Sequence, residues 1–223
     1  MKIRQLHTWD VAPKQAQEIQ RELAEQVLRI DHIGAVRTVA GVDMAVGTTG
    51  REGRAAVVLL DYPELKPREI QVAEREITFP YVPGLLSFRE APLVLDAFAK
   101  LSTVPDIVFV DGQGIAHPRR FGIASHLGVL LDIPTIGCAK SILCGRHEEL
   151  GADVGSTALL VDRGEIVGVA VRTKAGVKPV YVSIGHKVDL DAAVHWVLAC
   201  CRGYRLPEPT RLADRVAGRK PLS

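Results

Sequence analysis

A chain of 223 residues with 47% apolar and 24% charged residues has the composition of a folded globular protein, which excludes a disordered or fibrous chain. No stretch approaches the ~20 consecutive apolar residues that span a bilayer, and a net charge of +2 excludes a polycation. The length of residues 1–223 fits one domain. Any nucleic-acid surface must therefore come from local clustering of charge, and the basic C-terminal tail at about 202–223 is the candidate.

Cysteine usage and the N-terminus indicate the compartment. The four cysteines form no C-x-x-C pair and show no zinc-binding spacing, which favours reduced thiols. The first ten residues are polar and lack the apolar stretch of a signal peptide. We therefore expect a cytoplasmic protein that does not contact membranes, and a monomer, because the modest length carries no coiled-coil pattern.

The first third of the chain predicts one helix followed by antiparallel strands. Apolar residues recur at helical spacing over residues 13–30. Strands are predicted at 38–46 and 55–60, and the Gly-rich turn at 47–53 between them is typical of a hairpin. A third strand is predicted near 70–78.

The remainder alternates helices and strands. Helices are predicted at 87–101, 120–131 and 190–201, and strands at 107–110, 135–138, 156–161, 166–172 and 179–183. Strands that alternate with helices imply parallel crossovers. The fold class is therefore α/β, a mixed sheet with antiparallel opening strands and then parallel β-α units, flanked by helices.

Two aspartates stand at unusual places in predicted strands. Asp43 interrupts the apolar first strand, and Asp111 directly follows the apolar run 107–110. Apolar strands rarely carry an acid unless it is paired or holds a metal, and carboxylate oxygens suit Mg²⁺ or Mn²⁺. Acids on these two adjacent central strands make the sheet similar to that of ribonuclease H-like nucleases. The alternative is an acid that is solvated or that caps a neighbouring helix.

Glu90 has two interpretations of equal weight. The sequence from Ser87 to Glu90 matches the S-x-x-E capping box of a helix start. Pro92 complicates a helix that begins there, because proline lacks a backbone N–H. The other interpretation makes Glu90 a metal ligand beside the two aspartates.

A stiff loop precedes Glu90. Pro80 and Pro83 flank Tyr81 and Val82 and restrict the backbone on both sides. A stiff loop with an aromatic tip is how proteins insert a wedge between stacked bases. The alternative is a plain proline-rich turn with Tyr81 packed on the surface.

Two basic side chains follow predicted strand ends. His117 lies in a His-Pro-Arg-Arg loop that could hold a phosphate, and Lys140 follows the strand at 135–138, where it could offset phosphate charge. The pattern around Lys140 is not a Walker loop, because G-x-x-x-x-G-K-[ST] is absent from the sequence. Solvated loop residues are the alternative for both.

With these motifs together, the chain resembles the endonuclease V family, the deoxyinosine-directed nucleases. The resemblance covers about residues 10–215. The most specific segments are VAGVD (39–43), FPYVPGLLSFRE (79–90) and VDGQGIAHPR (110–119), and further similar segments are 137–140, 181–186 and 205–211. Val82 is the one departure noticed, at a position where isoleucine is common.

The resemblance implies roles for individual residues. Asp43, Glu90 and Asp111 would form the metal and catalytic centre with Mg²⁺, or with Mn²⁺ as a substitute, and His117 and Lys140 would support it. The residues Pro80, Tyr81, Val82 and Pro83 would form the DNA-binding wedge. A pocket for the flipped hypoxanthine base would be lined by Gly84, Leu86 and Gly112.

The implied function is a DNA repair endonuclease that recognises deaminated purine in damaged DNA. It would hydrolyse the second phosphodiester bond 3′ to the lesion and leave 3′-hydroxyl and 5′-phosphate ends. Two alternatives stay open. One is a ribonuclease H-like nuclease that acts on inosine-containing RNA or on junctions, and the other is a lesion sensor that does not cut. Besides damaged DNA, inosine-containing single-stranded nucleic acid is an expected partner.

Overall fold

The computed structural model describes residues 1–48 and 50–222, and in this part of the chain five helices surround one eight-stranded sheet. The helices are α1 (Pro13–Ala24), α2 (Leu86–Phe98), α3 (Ile123–Leu131), α4 (Leu190–Ala199) and α5 (Glu208–Ala217). The strands are β1 (Thr38–Val46), β2 (Glu52–Asp61), β3 (Lys66–Glu76), β4 (Ile107–Val110), β5 (Thr135–Ala139), β6 (Thr157–Asp162), β7 (Glu165–Val171) and β8 (Val180–His186).

The sheet is mixed, as predicted, and its strands follow the order β3-β2-β1-β4-β5-β8-β7-β6. The first three strands pair antiparallel, and β1, β4 and β5 then pair parallel. The strands β5, β8, β7 and β6 pair antiparallel. The chain therefore has a ribonuclease H-like sheet. At its centre, β1, which carries Asp43, lies beside β4, which Asp111 directly follows.

Each face of the sheet is covered by a separate apolar cluster. Val39 of β1 and Ile107 of β4 pack in one cluster with Leu212 and Ala213 of α5. The intervening residues of both strands pack in a second cluster with helices α2 and α3. Because side chains alternate across a strand, every second residue of β1 and β4 points toward α5.

Several predicted boundaries were wrong. Helix α1 ends at Ala24 instead of continuing to residue 30, and α3 begins only at Ile123, after the extended residue Gly122. Strand β3 runs from Lys66 to Glu76, not from 70 to 78. The predicted turn at 47–53 includes Thr49, which lies outside the described residues.

The predicted basic tail contains a packed helix, α5, that the sequence analysis missed. Its residues Pro209, Leu212, Ala213 and Ala217 are buried. The arginines of this segment had indicated a basic tail, but its apolar residues recur at three- and four-residue spacing and cover the sheet. All four cysteines are free thiols, as predicted. No helix in the described part of the chain is long and apolar enough to cross a membrane.

Helix α5 approaches β1 more closely than a side chain would allow. A Cβ atom placed on Gly41 would lie 1.8 Å from the carbonyl oxygen of Pro209 and 2.1 Å from its carbon. Both atoms belong to the backbone, so relief requires the helix itself to move. The absence of a side chain at Gly41 therefore sets the distance between α5 and the centre of the sheet.

We predict that Gly41→Ala destabilises the fold by about 1–3 kcal/mol, the usual cost of overpacking a filled core. Urea denaturation followed by circular dichroism measures this change. Gly34→Ala is the matched control, because a Cβ atom there meets nothing within 4 Å. Equal unfolding free energies for the two variants would contradict the role of Gly41.

Candidate metal centre and adjoining cavity

Asp43 and Asp111 lie side by side because of the register of their strands. Val42 pairs with Val110, and the backbone N–H of Asp111 donates to the carbonyl of Val42 over 3.1 Å. Asp43 and Asp111 each stand two residues beyond Gly41 and Phe109, on the face of the sheet that α5 covers. Strand alternation thus brings the two predicted acids together under the C-terminal helix.

A third carboxylate joins them from α5. One oxygen each of Asp43, Asp111 and Asp214 lies within 4.8 Å of the other two, a spacing that could hold a metal ion. Asp214 was not among the predicted site residues. The three- and four-residue spacing of apolar residues could have found helix α5, but an acid on the polar side of an amphipathic helix carries no further signal.

Lys140 links two members of this acidic cluster. Its ammonium lies 2.5 Å from Asp111 Oδ2 and 3.2 Å from Asp214 Oδ1. Burial alone would lower the pKa of Lys140, but the neighbouring Asp111 carboxylate outweighs it and the pKa is raised. Lys140 therefore carries a positive charge at the centre of the cluster, where the sequence had left a solvated loop lysine as the alternative.

The electrostatics of the cluster fit a cation site. Burial, together with the charge of Asp111, raises the pKa of Asp43 to about 7. Burial also raises the pKa of Asp111 despite the nearby Lys140 ammonium. One lysine therefore does not neutralise the negative charge of all three carboxylates. Carboxylate oxygens are the ligands that hard divalent cations prefer.

Glu90 lies beside the acidic cluster and does not cap a helix. Helix α2 begins at Leu86, its N-cap residue Leu85 receives no side-chain cap, and Ser87 bonds to His126 instead. Burial, then the charges of Asp43 and Asp111, raise the pKa of Glu90 to about 8. Glu90 is not one of the three described carboxylates that lie within 4.8 Å of one another.

A chain of hydrogen bonds fixes the start of α2. His7 Nδ1 lies 2.7 Å from the Thr8 carbonyl, which can only accept, so neutral His7 is an acceptor at Nε2. His126 Nε2, 2.7 Å away, must donate to it. His126 Nδ1 then accepts from the Ser87 hydroxyl over 3.1 Å. This polarity holds both histidines neutral.

The predicted wedge loop borders a cavity of about 310 Å³. Tyr81 is 71% exposed, whereas Val82 packs against Phe79, Leu85 and Phe88 and anchors the loop. Cavities of this size lie at the lower end of the range for small-molecule sites, about 300–1,000 Å³. The lining includes the predicted wedge and pocket residues Tyr81, Val82, Pro83, Gly84, Leu86 and Gly112, and also Asp111, His117 and Lys140. Pro80 lines a neighbouring cavity.

The carbonyl of Gly84 holds the loop in place. It accepts hydrogen bonds from Gln20 Nε2 at 3.0 Å, His117 Nε2 at 2.9 Å and Arg119 Nη2 at 2.7 Å. Gly84 has a φ of +78°, and a Cβ atom there would also lie 2.8 Å from Arg119. The backbone of the loop is therefore fixed on the side of the cavity.

The hydrogen bonds of the His117 ring are made within the loops and not to the carboxylates. Its Nδ1 accepts from the N–H of Arg119 over 3.1 Å while Nε2 donates to Gly84. Burial lowers the pKa of His117 to about 4, so the ring is neutral near pH 7. Its hydrogen bonds go to the loop, although the sequence had grouped it with the catalytic acids.

We predict that Asp214→Asn weakens divalent-cation binding at least about tenfold, since even residues that only support ligands contribute about 10–100-fold to metal affinity. The midpoint of a Mn²⁺ titration followed by isothermal calorimetry measures the effect. The exposed Asp153→Asn is the control and should titrate like the wild type. A wild-type midpoint for Asp214→Asn would exclude this residue from the cation site.

We predict that His126 makes a contribution to the free energy of unfolding that is lost as the pH drops from about 7 to 5, while the raised pKa values of Asp43 and Glu90 act in the opposite direction. Burial lowers the pKa of His126 well below its usual range, so below about pH 6.5 the unfolded chain binds protons that the folded state rejects. One such histidine contributes up to about 1.4 kcal/mol per pH unit. Urea denaturation at pH 7 and pH 5 measures this contribution as a difference: relative to the wild type, His126→Gln should be more stable at pH 5 than it is at pH 7.

The exposed His195→Gln is the control for this experiment and should keep the wild-type dependence on pH. If the free energy of unfolding of His126→Gln depends on pH as that of the wild type does, burial does not lower the pKa of His126.

Comparison with known proteins places these features in one family. The family model described as Endonuclease V matches residues 21–215. The endonuclease V of a Nostoc species is 55% identical over 221 residues, which cover 99% of this chain and 100% of the relative. The endonuclease V structure from Streptomyces avermitilis is 44% identical, with a TM-score of 0.90, and covers 98% of this chain and 97% of that one.

A more distant structure carries nucleic acid. Endonuclease V of Ciona intestinalis, in complex with a 24mer DNA containing an inosine followed by a ribo-adenosine, is 27% identical with a TM-score of 0.80. The comparison covers 92% of this chain and 96% of that one. The family model and the near full-length relatives show that the chain belongs to the endonuclease V family.

Proposed function

We propose that this endonuclease V cuts DNA containing deoxyinosine at the second phosphodiester bond 3′ to the lesion, leaving 3′-hydroxyl and 5′-phosphate ends. The observation that carries the proposal is one cavity that is lined both by the exposed Tyr81 and by Asp111 with Lys140. If a base were held in that cavity, the nucleic-acid strand that carries it would lie at the acidic cluster. The Ciona relative bound to inosine-containing DNA supports the same substrate.

The cavity suits a flipped purine that is recognised mainly by backbone groups. Two of its lining residues, Gly84 and Gly112, are glycines, and a third, Leu86, is the first residue of α2. The N–H of Leu86 belongs to the first turn of α2 and has no acceptor within the helix. It is therefore available to a purine acceptor, and the firmly bonded Gly84 carbonyl keeps the wall of the cavity in place.

Tyr81 supplies the wedge in this mechanism. Extruding a base from a duplex costs a few kcal/mol, and an aromatic ring that fills the gap restores part of the lost stacking. The exposed Tyr81 ring stands on a loop held by Val82 and by the three hydrogen bonds to Gly84. Such a loop can enter the duplex without first becoming ordered.

The reaction centre would use Mg²⁺, or Mn²⁺ in its place, held by Asp43, Asp111 and Asp214 with Glu90 alongside. A bound cation supplies polarisation of the phosphodiester and a lowered pKa for attacking water. The positive charge of a cation would favour the ionised form of Glu90, which could then accept the proton that the attacking water releases. Lys140 adds a fixed positive charge where the phosphate becomes more negative.

A labelled duplex with one deoxyinosine tests the proposal. With Mg²⁺ we expect a single nick at the second phosphodiester 3′ to the inosine, and no nick in an undamaged duplex or in EDTA. Asp111→Asn should abolish cutting and retain lesion binding. Cutting of both duplexes alike would indicate a general nuclease, and selective binding without cutting would indicate a sensor.

A second substrate separates DNA from RNA preference. This substrate is a duplex with inosine followed by ribo-adenosine, the order of residues in the 24mer DNA bound by the Ciona relative. A higher cleavage rate for the all-deoxy duplex supports the proposed DNA substrate, and a much higher rate with the ribonucleotide would assign the enzyme to inosine-containing RNA.

We predict that Tyr81→Ala lowers the affinity for the inosine duplex about 10–100-fold, because one aromatic stacking contact contributes about 1–3 kcal/mol per base. Fluorescence anisotropy with labelled duplex measures the affinity. Inosine in single-stranded DNA needs no extrusion from a duplex, so the loss there should be much smaller. Equal losses on both substrates would contradict a wedge.

Tyr204→Ala is the matched control for Tyr81→Ala. Tyr204 is also exposed, at 49%, but it packs against Arg211 away from the wedge loop. Its removal should leave the difference between duplex and single-stranded substrate unchanged.

A further inference from the structure

Lys140 stands at the boundary between a buried strand and an exposed segment. Strand β5 ends at the buried Ala139, and residues 140–143 are exposed, including Ile142 at 39% and Leu143 at 44%. Exposed chain receives little support from packing. The ammonium of Lys140 nevertheless contacts two carboxylates, so other interactions must hold its backbone.

Two side chains bind two successive backbone carbonyls, those of Lys140 and Ser141. Gln113 Nε2 donates to the carbonyl of Ser141 over 2.8 Å. Arg205 Nη2 donates to the carbonyl of Lys140 over 2.6 Å. A carbonyl can only accept, so the amide orientation of Gln113 is fixed by this contact.

Both side chains are themselves firmly held. Gln113 is only 8% exposed, and its backbone carbonyl accepts from the N–H of Ala124 over 2.9 Å. The guanidinium of Arg205 also donates to the carbonyl of Pro179, over 2.8 Å from Nη2 and 3.3 Å from Nε. Each side chain therefore holds the backbone at Lys140 in a fixed position relative to its own segment.

The two anchors come from the segments that supply the two carboxylate partners of Lys140. Gln113 follows Asp111 by two residues in the same loop. Arg205 stands just before α5, the helix that carries Asp214. The backbone of Lys140 is thus tied to the same two units whose carboxylates its ammonium contacts.

We propose that Gln113 and Arg205 are positioning residues that hold Lys140 in the catalytic cluster. The inference rests on the proposed function for its effect on cleavage, but it rests on the hydrogen bonds alone for the position of Lys140. Lysine has a long flexible side chain, so its ammonium is placed accurately only if its backbone is fixed. Displacing a catalytic group by about 1 Å can cost about 100-fold in rate.

The test compares Gln113→Met and Arg205→Met, which remove the donors and keep much of the side-chain bulk. Single-turnover cleavage of the inosine duplex should slow about 10–100-fold in each. Lesion affinity, measured by anisotropy in the absence of divalent cations, should change little. Arg205→Lys keeps one donor and should recover part of the rate.

Arg4→Met is the matched control. Arg4 also donates to a backbone carbonyl, that of Val129 over 3.3 Å, but it has no contact with Lys140. Its cleavage rate should equal that of the wild type.

A Lys140→Ala background shows whether the anchors act through the lysine. Once Lys140 is absent, Gln113→Met and Arg205→Met should have no additional effect on the rate. Equal slowing with and without Lys140 would overturn the proposal, because the anchors would then act elsewhere.

A measurement on the metal-free protein separates this inference from the proposed function. The ¹⁵N resonance of the Lys140 ammonium, assigned with Lys140→Arg, should shift or broaden in Gln113→Met and Arg205→Met and not in Arg4→Met. An unchanged resonance would overturn the positioning role. If the wild type fails to cut the inosine duplex while the resonance shifts as expected, the proposed function fails and the positioning of Lys140 stands.

Discussion

Carboxylates that are held together in one partly buried corner repel one another, and the packing of the protein has to oppose that repulsion. Asp43, Glu90, Asp111 and Asp214 come from four separate elements, and Lys140 is the ammonium that contacts two of them. Burial and mutual charge raise the pKa of Asp43 and of Glu90, so the cluster resists full ionisation. Such a group persists in a fold only if strong packing elsewhere keeps its members together.

The carboxylates and the cavity beside them are held in place by separate sets of contacts. Strand register places Asp43 beside Asp111, and the missing side chain at Gly41 lets α5 bring Asp214 onto them. The cavity next to the cluster is fixed differently, by three donors on the Gly84 carbonyl. The carboxylates are thus positioned by the sheet and the cavity by polar contacts of a loop, so substitutions in one need not displace the other.

The sequence revealed those parts of the site whose residue types conflict with their surroundings. Asp43 and Asp111 stand out because acids are rare in apolar strands, and Tyr81 stands out between two prolines. Asp214 conflicts with nothing, since an acid on the polar side of a helix is ordinary, and only the folded chain brings it to the cluster. The direction of the His117 ring was equally hidden, because it depends on which carbonyl the loop presents. The mixed sheet was predicted from the order of its elements, whereas α5 was missed because its arginines obscured its apolar spacing.

The origin of the carboxylates also determines when the cation site exists. Its members lie at positions 43, 111 and 214, so the site joins the first strand to the last helix. Contacts so distant in sequence form only after the chain between them is ordered, because closing such loops costs entropy that local structure does not repay. A cation bound to all three would stabilise the folded state alone, since the unfolded chain cannot bring the ligands together. Docking of α5 and completion of the cation site are therefore one event, and metal affinity reports on the integrity of the whole sheet.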